Sequence, residues 1–214
     1  SDQVFNRLHE LEATGQLIFP PNYAVGNALK SAYLILQETK DKDGRPVLET
    51  CTKTSIANSL LDMVIQGLNP VKKQCYFIPF GGKLQLFRSY FGDQTVVKNA
   101  IPGVENIFAT VIYEGDEVEI DINEDGEQYV KSHKTKLENR DKPIKGAYAT
   151  IVINGKKYQE IMSWSEIQKA WSKAKTKNVQ NEFPQEMAKR TVIRRLCKRF
   201  LNTSDDANMF VVES

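Results

Sequence analysis

Residues 147–162 read Ala-Tyr-Ala-Thr-Ile-Val-Ile-Asn-Gly-Lys-Lys-Tyr-Gln-Glu-Ile-Met. Asn154-Gly155 is the preferred pair for a type I′ turn, because both central residues of that turn need positive φ. The stretch therefore predicts a β-hairpin, 147–153 against 156–162. A helix follows at once, with Ser163 or Ser165 placed to cap a run reaching Lys175.

Upstream, residues 118–122 alternate apolar and acidic, turn at 123–126 and return through 128–130, which predicts another hairpin. Residues 107–113 and 95–100 read as further strands, and the polar, basic stretch 131–145 reads as a loop. A third hairpin joins 74–80 to 83–87 through Gly81-Gly82. Pro79 has no N–H to donate, which assigns its strand to an edge or a bulge. In 83–87, Leu84 and Leu86 share one face while Lys83, Gln85 and Phe87 share the other; a short helix or turn is expected at 88–91. The first seventy residues carry helical periodicity instead. Helices are expected at 4–11, at 23–39 with Asn22 as N-cap, and from Thr54-Ser55 through Leu68 to a stop at Asn69-Pro70. The order of elements predicts an α+β fold without βαβ alternation. It has a helical N-terminal lobe (1–70), a central antiparallel sheet with hairpins (71–162) and C-terminal helices (163–201), taken together as one domain, 1–214.

Composition narrows the function classes. The chain has 214 residues and a net charge of only +2. It shows no apolar run of about eighteen residues that would span a membrane and no signal-peptide pattern. It also lacks an initiator Met, which suggests a fragment of a longer product. Cys51, Cys75 and Cys197 are odd in number and far apart, as expected of reduced residues inside a cell. His9 and His133, the only histidines, give little material for a zinc site or a histidine triad, and no cofactor is expected. Three motifs imitate catalytic ones. Asp-x-Asn-x-Asp-Gly at 121–126 opens like a calcium loop but has Ser132 where the bidentate Glu belongs. Gly81-Gly82-Lys83 lacks the remaining parts of a phosphate loop. Glu114, Asp116, Glu117, Glu119 and Asp121 could hold nuclease metals, but alternation puts many of them on one solvated face.

Residues 187–200, Met-Ala-Lys-Arg-Thr-Val-Ile-Arg-Arg-Leu-Cys-Lys-Arg-Phe, contain six cations and no acid. Wound as a helix, they put Val192, Ile193, Leu196, Cys197 and Phe200 on one face and most cations opposite, with Lys189 near the centre of the apolar face. Such a helix suits a polyanion.

Gly67-Leu68-Asn69-Pro70, the run from Gln74 to Leu86, Trp164-Ser165-Glu166-Ile167 and the run from Glu182 to Leu196 are similar to the RecT/Redβ family of phage single-strand annealing proteins. The likeness is greatest to the RecT branch of Gram-positive prophages. The resemblance implies an ATP-independent recombinase in the cytoplasm of a bacterial host cell. It would coat single-stranded DNA as a ring or helical filament of identical subunits and pair a complementary strand into an annealed duplex intermediate. It also implies a phage exonuclease and a host single-strand-binding protein as partners, through a C-terminal region expected to be missing from this chain.

The residues suggest how this would work. Lys and Arg hold phosphates without reading sequence, and an aromatic content of 9% leans toward backbone holding over base stacking. The expected DNA contacts are Lys83, Gln85 and Arg88 from the hairpin and Lys189, Arg190, Arg194 and Lys198 from the helix, as two walls of a groove. Lys189 and Arg190 are the leading pair. Lys98 and the 173–177 connection, Lys173, Lys175 and Lys177, are added. Arg195 and Arg199 are expected to bond neighbouring carboxylates as readily as DNA. A metal-dependent nuclease and a passive single-strand binder are the rival functions.

Overall fold

The computed structural model describes residues 2–173 and 183–202. It is α+β, with antiparallel strand pairs between helices. The chain divides into two compact units, one of residues 1–101 that Leu201 rejoins and the other comprising Pro102–Phe200. The hairpin expected in a central sheet belongs to the first unit, among the helices.

That unit contains α1 (Asp2–Ala13), α2 (Val25–Glu38), the one-turn α3 (Val47–Thr50), α4 (Lys53–Ile65), β1 (Cys75–Phe80), β2 (Lys83–Arg88) and α5 (Tyr90–Ala100). Leu36, Met63, Val64, Leu68 and Val96 are fully buried in its core. Thr52 caps α4, its side chain accepting from the Ser55 N–H at 3.3 Å. The helix stops before the expected Leu68, because Gly67 takes φ 67° and the Leu68 N–H closes back on Met63 O at 3.0 Å. Asn22 is not the cap of α2. It has φ 64°, and the residue at the cap position is Ala24.

β1 and β2 form a separate two-stranded ribbon, with Pro79 opposite Leu84. Leu84 turns both backbone groups away from β1. Its N–H donates to Ser55 Oγ at 2.9 Å, and its C=O accepts from Ser59 Oγ at 3.0 Å. Pro79 therefore sits at a non-hydrogen-bonded pair of the ladder, where a missing N–H costs no ladder bond. Two serines one turn apart on α4 clamp the outer edge of β2.

Residues 95–100, expected as a strand, belong to α5. Ser89 caps it by accepting from the Gly92 N–H at 3.2 Å. Gly92, Asp93, Val96, Val97 and Ala100 are buried at helical spacing, so tertiary burial overrides the β-preference of Thr95-Val96-Val97. Gly92 is required: a Cβ there would come within 2.1 Å of Gln74 O.

The second unit contains β3 (Val104–Tyr113), β4 (Glu117–Ile122), β5 (Gln128–Lys134), a 3-10 turn (Leu137–Asp141), β6 (Ile144–Ile153), β7 (Lys156–Ser163), α6 (Trp164–Ser172) and α7 (Pro184–Leu201). The sheet order is β3-β6-β7, all antiparallel, with β4-β5 as a second ribbon. β6 is the buried central strand. Asn154 (φ 49°) and Gly155 (φ 78°) make the expected type I′ turn between β6 and β7.

The stretch 131–145 is more ordered than a loop because its polar residues gather around Asp116. The Asp116 carboxylate is fully enclosed. It accepts from the Tyr113 N–H at 2.9 Å, Thr135 Oγ1 at 2.6 Å and Asn139 Nδ2 at 2.8 Å. His133 lies between it and Tyr148, with Nε2 2.8 Å from Asp116 Oδ2 and Nδ1 2.9 Å from Tyr148 Oη. Burial opposes ionisation, yet the bonds from Thr135, Tyr113, His133 and Asn139 hold the carboxyl well below the usual carboxylate range. Asp116 therefore leaves the expected solvated acidic face, while Glu117, Glu119 and Asp121 remain exposed on β4.

Candidate nucleic-acid interface

α7 is a structural helix first. Ala188, Val192, Ile193, Leu196 and Cys197 are buried on one side, each fully buried Val or Leu contributing roughly 1.5–3 kcal/mol. The opposite side is fixed by specific bonds. Trp171 Nε1 of α6 donates to Thr191 Oγ1 at 2.8 Å, and Arg195 pairs with Glu160 of β7 at 3.0 Å. Arg199 pairs with Glu127 and reaches Glu160 at 3.9 Å. Tyr158 and Phe200 meet edge to face with centroids 5.6 Å apart. Arg195 and Arg199 therefore do bond neighbouring carboxylates.

Arg194 and Lys198 of α7 lie beside α6. Ser163 starts α6 with a full capping box, its Oγ accepting from the Glu166 N–H while Glu166 Oε2 accepts from the Ser163 N–H at 2.8 Å. This register places Glu166, Lys169, Ala170 and Lys173 at i, i+3, i+4 and i+7, on one stripe. The stripe and α7 enclose a cleft of about 640 Å³, whose lining includes Lys169, Lys173, Arg194, Arg195 and Lys198, with Glu166 as its one carboxylate. Trp171 also lines it, 5.3 Å from Trp164 in an edge-on contact. Five cations around one concavity attract an anion chain.

The expected helix contacts divide accordingly. Arg194 and Lys198 line the cleft; Lys189 and Arg190 do not. Lys189, expected near the centre of the apolar face, has a side chain 41% exposed and pairs with Glu186 at 3.4 Å. Arg190 is exposed, with Nη1 4.0 Å from Met187 Sδ. Lys175 and Lys177 lie outside the described residues.

In the first unit, Lys83 and Gln85 are exposed on the outer face of β2 as expected. They line a cavity of about 430 Å³ with Ser55 and Asp62, where burial pushes the Asp62 carboxyl up. Arg88 is a correction. Its side chain is 8% exposed; its Nε donates to Asp93 Oδ1 at 2.7 Å and its Nη1 to Gln66 Oε1 at 2.8 Å. Strand alternation turns Arg88 to the buried side with Leu84 and Leu86, so its charge serves the fold. Lys98 is exposed in the last turn of α5, where a cation also favours the helix dipole. Cys75 is buried beneath the ribbon, and burial pushes its thiol up to about 12.

A model of the RecT family matches residues 26–213. The chain belongs to the RecT family. No curated protein matches it. RecT proteins are known for annealing single strands in DNA recombination, and both surfaces of this RecT chain fall inside the matched span. Lys169 and Trp171 are not among the contacts expected from the sequence; the signal for Lys169 is the i, i+3, i+4, i+7 stripe of α6, which becomes visible once Ser163 is fixed as the cap.

Among the described residues, no group of three His, Cys, Asp or Glu side chains is placed to hold a metal ion. No described helix is long and apolar enough to cross a membrane.

Proposed function

We propose that this RecT chain is an ATP-independent single-strand annealing recombinase that holds single-stranded DNA by its backbone in the α6–α7 cleft. The observation that carries this reading is the convergence of Lys169, Lys173, Arg194 and Lys198 on one concavity, beside the Glu160-paired Arg195, within a RecT chain. Cations hold phosphates by releasing counterions and leave the Watson–Crick edges of the bases free to pair. ATP independence is supported at the one phosphate-loop-like motif. Gly81 and Gly82 are turn residues with φ 56° and 75°, and Lys83 continues into a strand where a nucleotide loop needs a helix.

The subunits assemble on the strand as a ring or helical filament, with the exposed Glu117, Glu119 and Asp121 row of β4 suited to a basic surface of a neighbouring copy. The setting is the cytoplasm of a bacterial host carrying a Gram-positive type prophage, with a phage exonuclease and the host single-strand-binding protein as partners. Lys83, Gln85, Lys98, Lys189 and Arg190 act as secondary contacts. Two labelled complementary strands, mixed with the protein in a chelator and without ATP, test the reading. Accelerated formation of full-length duplex supports it. Strand shortening once metal is added indicates a nuclease, and protected but unpaired strands indicate a passive binder.

A further inference from the structure

The ribbon β1–β2 has an exposed outer face. Tyr76, Ile78 and Phe80 of β1, with Gln85 and Phe87 of β2, are exposed there. Tyr76 is 49% and Phe87 40% exposed, and the two are directly opposite in the ladder. Phe80 is opposite Lys83. An isolated two-stranded ribbon gains little from large rings turned to water, since what holds this one lies on its other side: buried Cys75, Phe77 and Leu84, and the Ser55 and Ser59 clamp from α4.

The chemistry of the face selects its occupant. Residues 75–88 contain no Asp or Glu, and Lys83 is the only charge turned outward. The acids nearest the tip, Asp41 and Asp43, are both paired with Arg45 at 3.0 Å. Asp62 of α4 is the one carboxylate that lines the cavity with Lys83, Gln85 and Phe87, and burial pushes it toward its neutral form; rings, an amide and a lysine suit a polyanion that also offers flat apolar faces. Side chains two apart on a strand stand about 6.8 Å apart, about twice the 3.4 Å rise between stacked bases, so a base fits between successive side chains.

We propose that the outer face of the β1–β2 ribbon is a stacking platform for unpaired nucleobases of single-stranded DNA, with Tyr76 and Phe87 carrying base faces and Lys83 meeting a phosphate. Stacking engages the face of a base and leaves its pairing edge open, which is compatible with annealing. The inference rests on the proposed single-strand binding and adds that one part of the protein senses bases. It reverses the expectation drawn from aromatic content, because the rings are concentrated on one face.

The test compares a normal single-stranded oligonucleotide with an abasic one, a deoxyribose-phosphate chain of equal length, using the full chain across a salt series. Tyr76→Leu and Phe87→Leu keep apolar bulk and remove the rings. Each is expected to weaken the normal oligonucleotide about 5- to 100-fold, leaving the salt slope and the abasic affinity unchanged. Lys83→Ala is expected to weaken both probes and lower the slope by about 0.7. As a second readout, Ile78→Trp adds a fluorophore whose emission is quenched by the normal strand and not by the abasic one. Equal losses on both probes, no loss on either, or a changed oligomeric state with DNA affinity intact overturns the platform while single-strand binding stands. A wild-type protein that binds neither probe overturns the proposed function and the platform together.

Discussion

The α6–α7 cleft and the β1–β2 ribbon solve opposite problems with similar residues. On α7 the apolar side chains turn inward and the cations outward; on the ribbon Arg88 turns inward and Tyr76, Phe80 and Phe87 outward. A cation is therefore informative only after its burial and partners are known. Arg88 and Arg194 look alike in the sequence, yet one holds a helix to a strand and the other lines a cleft. The cleft predicts salt-dependent binding indifferent to bases, and the ribbon predicts binding that depends on them.

Substitutions rank the two roles. Arg88→Ala leaves Asp93 as a buried charge without its ion-pair partner, so a loss of about 3–5 kcal/mol is expected in urea unfolding. Lys198→Ala is expected to change stability by about 0.5 kcal/mol or less. Equal losses in the two variants would erase the distinction. The next largest effect belongs to Lys169→Ala, Lys173→Ala and Lys198→Ala combined. At about 0.7 of salt slope per cation, the triple variant is expected to lose about 2 from the slope and about 100-fold in affinity near 0.1 M salt. Titrations of a labelled oligonucleotide at several salt concentrations measure both.

Asp116→Asn probes the scaffold of the second unit. The folded carboxyl is held below its unfolded value, so the stability it supplies is complete above about pH 4 and is lost as pH falls further. The variant is expected to be about 2–3 kcal/mol less stable at pH 7, and the gap to wild type narrows toward pH 3. A gap that stays constant would mean Asp116 does not act as an ionised acceptor. The smallest effects are expected from Lys189→Ala and Arg190→Ala, each about twofold to threefold in affinity. A loss at either as large as that at Lys198 would return the first turns of α7 to the centre of the interface.

Much of this was legible in the sequence, for reasons that differ by region. Asn154-Gly155 and Gly81-Gly82 announced their hairpins because few residues satisfy two positive φ angles. The apolar stripe of α7 was plain from periodicity. Residues 95–100 misled because β-branched residues buried on a helix look like a strand until Ser89 is recognised as a cap. Residues 131–145 misled because polarity normally means solvent, whereas here Thr135, His133 and Asn139 turn to a buried carboxylate. Lys169 stayed hidden among ordinary surface lysines and Lys173 entered only as part of a connection, since only the packing of α6 beside α7 makes them one site with Arg194 and Lys198.

The most direct test is the annealing rate of the triple variant, Lys169→Ala, Lys173→Ala and Lys198→Ala, against wild type, measured with labelled complementary strands in chelator without ATP. The account predicts rapid formation of full-length duplex by wild type and a loss of most of that acceleration in a variant whose unfolding curve is unchanged. Full annealing by the triple variant would contradict the cleft as the surface that holds the strand.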